Sequence, residues 1–144
     1  MAIQFWKGNK KGIIEPELFS SEAEKIAKKV YESGNSRSTL NNPSQIRKFY
    51  DEVMRIDGLI RTFPEAQQQS EFEKLLPYLK MLNAKAAYSQ GRQLITSDFV
   101  LFLKESLTQV TDIDSFKVFT ALFEAFIGYF VYFNKAQTQS GGRR

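Results

Sequence analysis

The residues whose types and spacing could bind a ligand lie on one predicted helix near the middle of the chain. At about 100° per residue, Met81, Lys85, Tyr88 and Arg92 fall on one helical face at spacings of four, three and four. Basic side chains attract phosphate, and an aromatic ring can stack on a base or a sugar. The pattern is therefore typical of contact with nucleic acid. The alternative is that Tyr88 lies at the edge of the core, while Lys85 and Arg92 extend along apolar neighbours with their charges in water.

The sequence contains few of the residue types that catalyse reactions. The chain contains no Cys and no His, which excludes thiolate nucleophiles, imidazole acid–base catalysis, disulfides and the usual zinc sites. It has no Gly-rich phosphate loop that ends in Lys-Ser or Lys-Thr. Asp112 and Asp114 form an alternating acidic pair, which helix caps explain better than a metal site. We therefore predict no catalytic residue, no metal and no cofactor, since a small helical enzyme would be hard to build from these residues.

Length and charge also limit the class of protein. At 144 residues with 42% hydrophobic content, the chain suits one domain with a real core. The net charge of +4 is uneven, because residues 1–14 carry three Lys and no acid, whereas residues 93–124 carry two bases and five acids. The basic regions suit a polyanion, and the acidic region suits contact with a protein.

No signal peptide is visible in Met1–Ile14, and the most apolar segment, Val118–Phe133, is short for a membrane span and contains Glu124. We therefore expect a cytoplasmic protein with no membrane contact.

Apolar periodicity predicts an all-α fold, a single-domain bundle of about five helices. The predicted helices are Pro16–Tyr31, Pro43–Thr62, Glu71–Gln90, a fourth that is capped by Thr96 or Ser97 and runs to Val110, and Ser115–Asn134. Pro77 is expected to kink the third helix or to split it after Leu76. The last helix is rich in Phe over a wide arc, so it is either the centre of the bundle or covered by a partner.

Capping residues and composition predict where the helices begin and what connects them. Asn42 can cap the second helix, with Pro43 in its first turn, and Asp112 or Asp114 can cap the last. The connections are then a loop over 33–42 and a polar linker over 63–70. The domain organisation expected is a mobile basic arm (1–14), a helical bundle (15–134) and a disordered tail (135–144).

Several stretches resemble the small-subunit family of the Csm complex, the type III-A CRISPR RNA-guided effector. The Leu-Pro-x-Leu-Lys-x-Leu run at 76–82, Ala-Lys-x-Ala-Tyr at 84–88 and Gly91-Arg92 match one motif of that family. The most specific match is 44–53, where a polar start is followed by Gln, Ile, Arg, Lys, Phe and later an acidic pair. Glu17-Leu18-Phe19 and Phe123-Glu124-Ala125 are similar to its first and last helices, so the resemblance covers about residues 15–134.

The resemblance implies a helical bundle that stacks in several copies along the effector filament and supports antiviral defence. The copies would sit opposite the backbone subunits and line a groove that holds guide CRISPR RNA and target RNA. In that family the small subunit is not the nuclease, because cutting and signalling belong to the backbone and large subunits. The expected partners are therefore the two RNAs, the backbone and large subunits, and neighbouring copies of the chain.

The residues expected to contact RNA come from the helical geometry and the resemblance together. They are Arg47, Lys48, Arg55, Lys80, Lys85, Tyr88 and Arg92. Lys85 and Arg92 are the strongest candidates because the helical geometry and the resemblance both indicate them. Lys80 is a weaker candidate because it points away from the helical face of Lys85, Tyr88 and Arg92. The helix start Gln45–Phe49 is expected to face RNA, with free backbone N–H groups available to a phosphate. The alternative function is a helical protein-interaction module without direct RNA contact, whose Phe-rich last helix docks a partner.

Overall fold

Helices account for almost all of the regular structure in the computed structural model, which describes residues 3–34 and 40–142. The helices are α1 (Ala23–Ser33, after a π-helical turn at Leu18–Glu22), α2 (Pro43–Arg61), α3 (Glu65–Lys80), α4 (Leu82–Gly91), α5 (Ser97–Thr108) and α6 (Ile113–Gly142). Within the described ranges there is no strand, only an isolated bridge between Trp6 and Ile14. The predicted all-α bundle is confirmed, and α3 with α4 corresponds to the single third helix of the prediction.

Helix α6 is the centre of the bundle and packs against α1, α2 and α3. Its buried aromatic residues are Phe116, Phe119, Phe123, Phe126 and Phe130. Phe126 stacks on Phe102 of α5 with ring centroids 4.5 Å apart, a geometry that adds to the free energy of burial. Of the two alternatives for the Phe-rich helix, the structure supports the central one, because its rings are already covered by the rest of the chain.

The segment Ile113–Ala136 passes a length-and-composition test for a membrane span, with 24 residues and a mean hydropathy of 1.4. A helix at the centre of a bundle passes the same test, since both must be apolar over a wide arc. Here the aromatic side chains that make the helix apolar are in the bundle core, so the hydropathy of α6 is explained by its central place in the fold.

The third predicted helix begins earlier and breaks later than its sequence indicates. Pro77 lies inside α3, and the break falls at Met81, whose N–H donates to the Pro77 carbonyl at 3.0 Å. The predicted polar linker over 63–70 is helical from Glu65 onward, and two of its Gln side chains bond to backbone groups. Gln68 donates to the Phe63 carbonyl at 3.1 Å, and Gln69 accepts from the Ile113 N–H at 3.0 Å, which caps α6.

Residues 3–14 pack on the bundle, where the sequence predicts a mobile arm. The Phe5 side chain is fully buried in the core, and its N–H donates to Gln109 Oε1 at 2.8 Å. Gln109 Nε2 in turn donates to the Ile3 carbonyl, and Lys11 forms an ion pair with Asp112. One buried aromatic side chain, two hydrogen bonds to the Gln109 side chain and one ion pair to Asp112 thus hold a segment whose composition is otherwise that of a loop.

The predicted C-terminal tail and the predicted 33–42 loop can also be compared with the structure. Helix α6 continues to Gly142, where the sequence predicts a disordered tail from 135. Most of the tip of the predicted 33–42 loop, including Arg37, lies outside the described residues, as do Arg143 and Arg144.

Candidate nucleic-acid interface

Helix α2 places its predicted basic residues on the solvent side. The apolar stripe that holds it in the core consists of Ile46, Phe49, Val53, Ile56 and Ile60, all of them buried, with Tyr50 partly buried beside them. On the exposed side, Lys48, Glu52 and Arg55 recur at spacings of four and three and so share one face. Arg47 has its guanidinium 5.9 Å from the Tyr50 ring centroid and 3.8 Å from the nearest Asp51 carboxylate oxygen.

The N-terminus of α2 does not offer the free backbone N–H groups that the sequence led us to expect. The predicted cap is confirmed, since Asn42 Oδ1 accepts from the Ser44 N–H at 2.9 Å. The N–H groups of Gln45 and Ile46 bond to the Asn42 carbonyl at 2.8 and 3.1 Å. Because Pro43 has no N–H, the first turn of α2 is satisfied within the protein, and any phosphate contact here must come from side chains.

The aromatic stripe on α4 lies in solvent. Tyr88 is 66% exposed, so the alternative that it is a core-edge residue does not apply. The Arg92 guanidinium lies 5.7 Å from the Tyr88 ring centroid, and Nη1 is 3.4 Å from the Tyr88 hydroxyl. Met81 and Tyr78 are exposed as well. Tyr88 and Arg92 therefore present a ring and a cation together, the combination that binds a base beside its phosphate.

The two basic faces meet at Glu52. Its carboxylate accepts from Arg55 Nη2 at 2.7 Å and from Nε at 3.2 Å, and Lys85 Nζ of α4 lies 4.0 Å from Oε1. The hydrogen bond from Arg55 lowers the pKa of Glu52, against an opposing effect of burial, and the charges of Arg55 and Lys85 lower it further. The structure thus brings together Arg55 and Lys85, which are 30 residues apart in sequence.

Lys80 is separated from this surface. Its ammonium group donates to the Leu107 carbonyl near the end of α5, where burial lowers its pKa. That carbonyl is near a helix C-terminus, where backbone oxygens need a donor. Lys80 therefore serves the contact between α3 and α5, whereas Arg47, Lys48, Arg55, Lys85 and Arg92 remain exposed on α2, on α4 or just after it.

A second surface of opposite charge lies between the N-terminal segment, α1 and α5. It is a groove of about 430 Å³ with an apolar floor that includes Leu18, Ile26 and Phe102. Its acidic lining residues are Glu15, Glu17, Glu22, Asp98 and Glu105, against two lysines, Lys25 and Lys29. Two of these acids, Asp98 and Glu105, lie in the 93–124 region, whose acidic charge predicts contact with a protein. In the part of the chain that the structure describes, no group of three or more acidic side chains is arranged to hold a metal ion.

Comparison with known proteins adds one finding. A family model described as Csm2 Type III-A matches residues 14–136, a range that includes α1–α5 and most of α6. No curated protein and no solved structure matches the chain. The matched range contains both basic faces and the Glu52 junction between them.

Proposed function

The chain belongs to the Csm2 Type III-A family, and from that premise we propose that it is the non-catalytic small subunit of a type III-A CRISPR ribonucleoprotein effector. Several copies stack along the filament in the cytoplasm and support antiviral defence. Each copy binds the backbone of guide RNA and target RNA, while base pairing between the two RNAs reads the sequence. The small subunit then positions the RNA backbones and supplies positive charge that attracts their phosphates.

The observation that carries this proposal is the exposed basic surface formed by α2, α4 and the residue that follows α4. It presents Arg47, Lys48, Arg55, Lys85 and Arg92 beside the exposed ring of Tyr88. Cations on such a surface release counterions from a phosphate backbone when they bind it, which supplies affinity without sequence preference. We leave Lys80 out of the proposed interface because the Leu107 carbonyl holds its ammonium group.

Protein contacts belong on the other charged surface. The groove lined by Glu15, Asp98 and Glu105 repels RNA phosphate and attracts a Lys- or Arg-bearing segment of a protein. The apolar floor of the groove can accept an apolar side chain of the partner next to its Lys or Arg. We assign this groove to contact with other protein subunits of the effector, so that the RNA and the subunits use separate faces of the bundle.

The alternative is an adaptor module without direct RNA contact. The sequence supported this alternative through a Phe-rich last helix that could dock a partner, but five of the six Phe rings of α6 are buried within the chain. The adaptor interpretation now depends on the acidic groove alone, and it predicts that RNA binding is absent or independent of salt.

Native purification of the tagged full-length chain tests the proposal. We expect a large particle that contains the backbone and large subunits, with short RNAs that share a repeat-derived 5′ end when sequenced. A small particle without RNA would contradict the proposal and favour the adaptor.

A further inference from the structure

On the proposed RNA surface, the Glu52 carboxylate occupies a site between Arg55 and Lys85 that could also bind a phosphate. Its carboxylate accepts two hydrogen bonds from the Arg55 guanidinium, at 2.7 and 3.2 Å, and lies 4.0 Å from Lys85 Nζ. The Glu52 side chain is 26% exposed, whereas those of Arg55 and Lys85 are 57% and 52% exposed. The carboxylate thus lies between two outward-reaching cations from different helices.

This arrangement differs from the other acid–base pairs near helix surfaces. Glu71 with Lys74 and Asp57 with Arg61 each join neighbours on one helix, and Glu22 with Lys25 joins the π-helical turn to α1. Lys11 with Asp112 joins the N-terminal segment to the start of α6, again as one acid with one cation. Glu52 also pairs with a neighbour on its own helix, but it holds a second cation from α4 as well. Arg binds carboxylate and phosphate with the same two-donor geometry, so Glu52 and an RNA phosphate need the same face of Arg55.

We propose that Glu52 is an internal competitor for RNA phosphate, which keeps Arg55 and Lys85 partly neutralised until a phosphate displaces its carboxylate. The inference rests on the proposed RNA-binding function and adds a regulatory element to that site. Exposed ion pairs are individually weak, so displacement is reversible and its penalty modest. An RNA held by several copies at once overcomes the penalty, and a stray RNA that touches one copy does so less well.

The test is RNA affinity of the full chain with Glu52→Gln, measured by fluorescence anisotropy. The probes are a labelled single-stranded RNA and the same RNA annealed to its complement. Gln keeps the size of the side chain but removes the charge that holds Arg55 and Lys85. The matched control is Glu24→Gln, which removes the same charge from an exposed acid on α1, outside the acidic groove.

We expect Glu52→Gln to tighten RNA binding by about three- to tenfold, since the pairs it breaks are exposed and weak. Glu24→Gln should change it by less than about twofold, because the general effect of one distant charge is screened by salt. Equal gains from both variants would show a general charge effect and overturn the inference. No gain from Glu52→Gln, in a chain that binds RNA and loses affinity with Arg55→Gln, would overturn it and leave the proposed function standing.

A second background separates competition from an unrelated structural change. In a chain that carries Arg55→Gln and Lys85→Gln, Glu52 has no cation to occupy, so adding Glu52→Gln should raise RNA affinity by no more than about twofold, the general effect of removing one negative charge. A three- to tenfold gain that persists in this background would contradict the competitor role. Absence of RNA binding by every variant, with thermal unfolding unaltered, would overturn the proposed function and the inference together.

Discussion

Asn41 and Thr96, which are 55 residues apart, exchange two hydrogen bonds in the core. Asn41 Nδ2 donates to Thr96 Oγ1 at 2.9 Å, and the Thr96 N–H donates to Asn41 Oδ1 at 3.0 Å. Nδ2 also donates to the Val30 carbonyl at 3.0 Å, and the Asn41 N–H donates to the Leu94 carbonyl at 2.9 Å. One nearly buried amide thus joins α1, the start of α2 and the connection between α4 and α5.

We predict that Asn41→Ala lowers the free energy of unfolding by about 2–4 kcal/mol, because it removes the hydrogen bonds of a nearly buried amide and takes the Asn41 Oδ1 partner from the part-buried Thr96 N–H. The substitution also places Ala at a φ of +52°, where Asn is tolerated better. The measurement is urea-induced unfolding followed by circular dichroism. Asn42→Ala is the control, since it removes the exposed α2 cap and should cost about 1 kcal/mol. Equal losses from the two variants would contradict the structural role of Asn41.

The N-terminal segment can be tested through Phe5. Because its ring is fully buried, Phe5→Ala should lower the free energy of unfolding by about 3–5 kcal/mol through lost burial and a new cavity. Ile13→Ala, in the same segment but at an exposed side chain, should change it by less than about 0.5 kcal/mol. Urea unfolding of both variants decides between a packed segment and the mobile arm expected from sequence, for which neither substitution matters.

The RNA surface predicts a change in salt dependence. We expect Lys85→Ala with Arg92→Ala to weaken RNA binding and to reduce the slope of log affinity against log salt by about 1.4–1.8, the contribution of two phosphate contacts. The fold should be retained, since both side chains are exposed. Anisotropy titrations at several salt concentrations measure the slope. Lys28→Ala with Lys104→Ala removes two exposed charges elsewhere and should leave the slope unchanged. A slope that stays the same in the Lys85 and Arg92 variant would contradict the interface.

Lys80 and Lys85 provide a matched pair in one broken helix. Lys80→Gln should leave RNA affinity within about twofold of the unmodified chain, as expected for a distant screened charge, because the ammonium group is held by the Leu107 carbonyl. Lys85→Gln, with the same change in charge, should weaken binding. Direct titration of both variants with the same labelled RNA is the measurement, and a larger loss from Lys80→Gln would place Lys80 back in the interface.

Asp112 predicts an acid-dependent loss of stability. Burial raises its pKa, but hydrogen bonds from Lys11 and Ser115 outweigh this and hold the pKa below its ordinary value of 3.8. The folded state therefore favours the carboxylate, so its contribution is complete above pH 3.8 and is lost as the pH falls through the lowered value. Asp112→Asn, which retains a capping side chain, should be less stable than the unmodified chain at neutral pH. The difference should shrink below pH 3.8 in urea unfolding, and a difference independent of pH would contradict the assignment.

Local features were predictable because neighbouring residues decide them. The apolar stripe of α2, its Asn42 cap and the Asp112 cap of α6 follow from helical spacing and from side chains that bond within a few residues. Sequence motifs over most of the chain also indicated the family that the comparison then showed. Of the two alternatives for Pro77, a kink or a split after Leu76, the split is wrong, because the structure continues the helix through Pro77 to Lys80.

Sequence alone thus determined an all-α chain, its principal helices, its family and the exposed basic character of α2 and α4. Only the tertiary structure decided that Phe5 is buried, that Lys80 turns to the Leu107 carbonyl, and that Glu52 lies between Arg55 and Lys85. The physical reason is the same in each case. Helical periodicity describes which face of one helix is apolar, but a buried ring, a capped carbonyl or a shared carboxylate needs a partner far along the chain, and folding selects that partner.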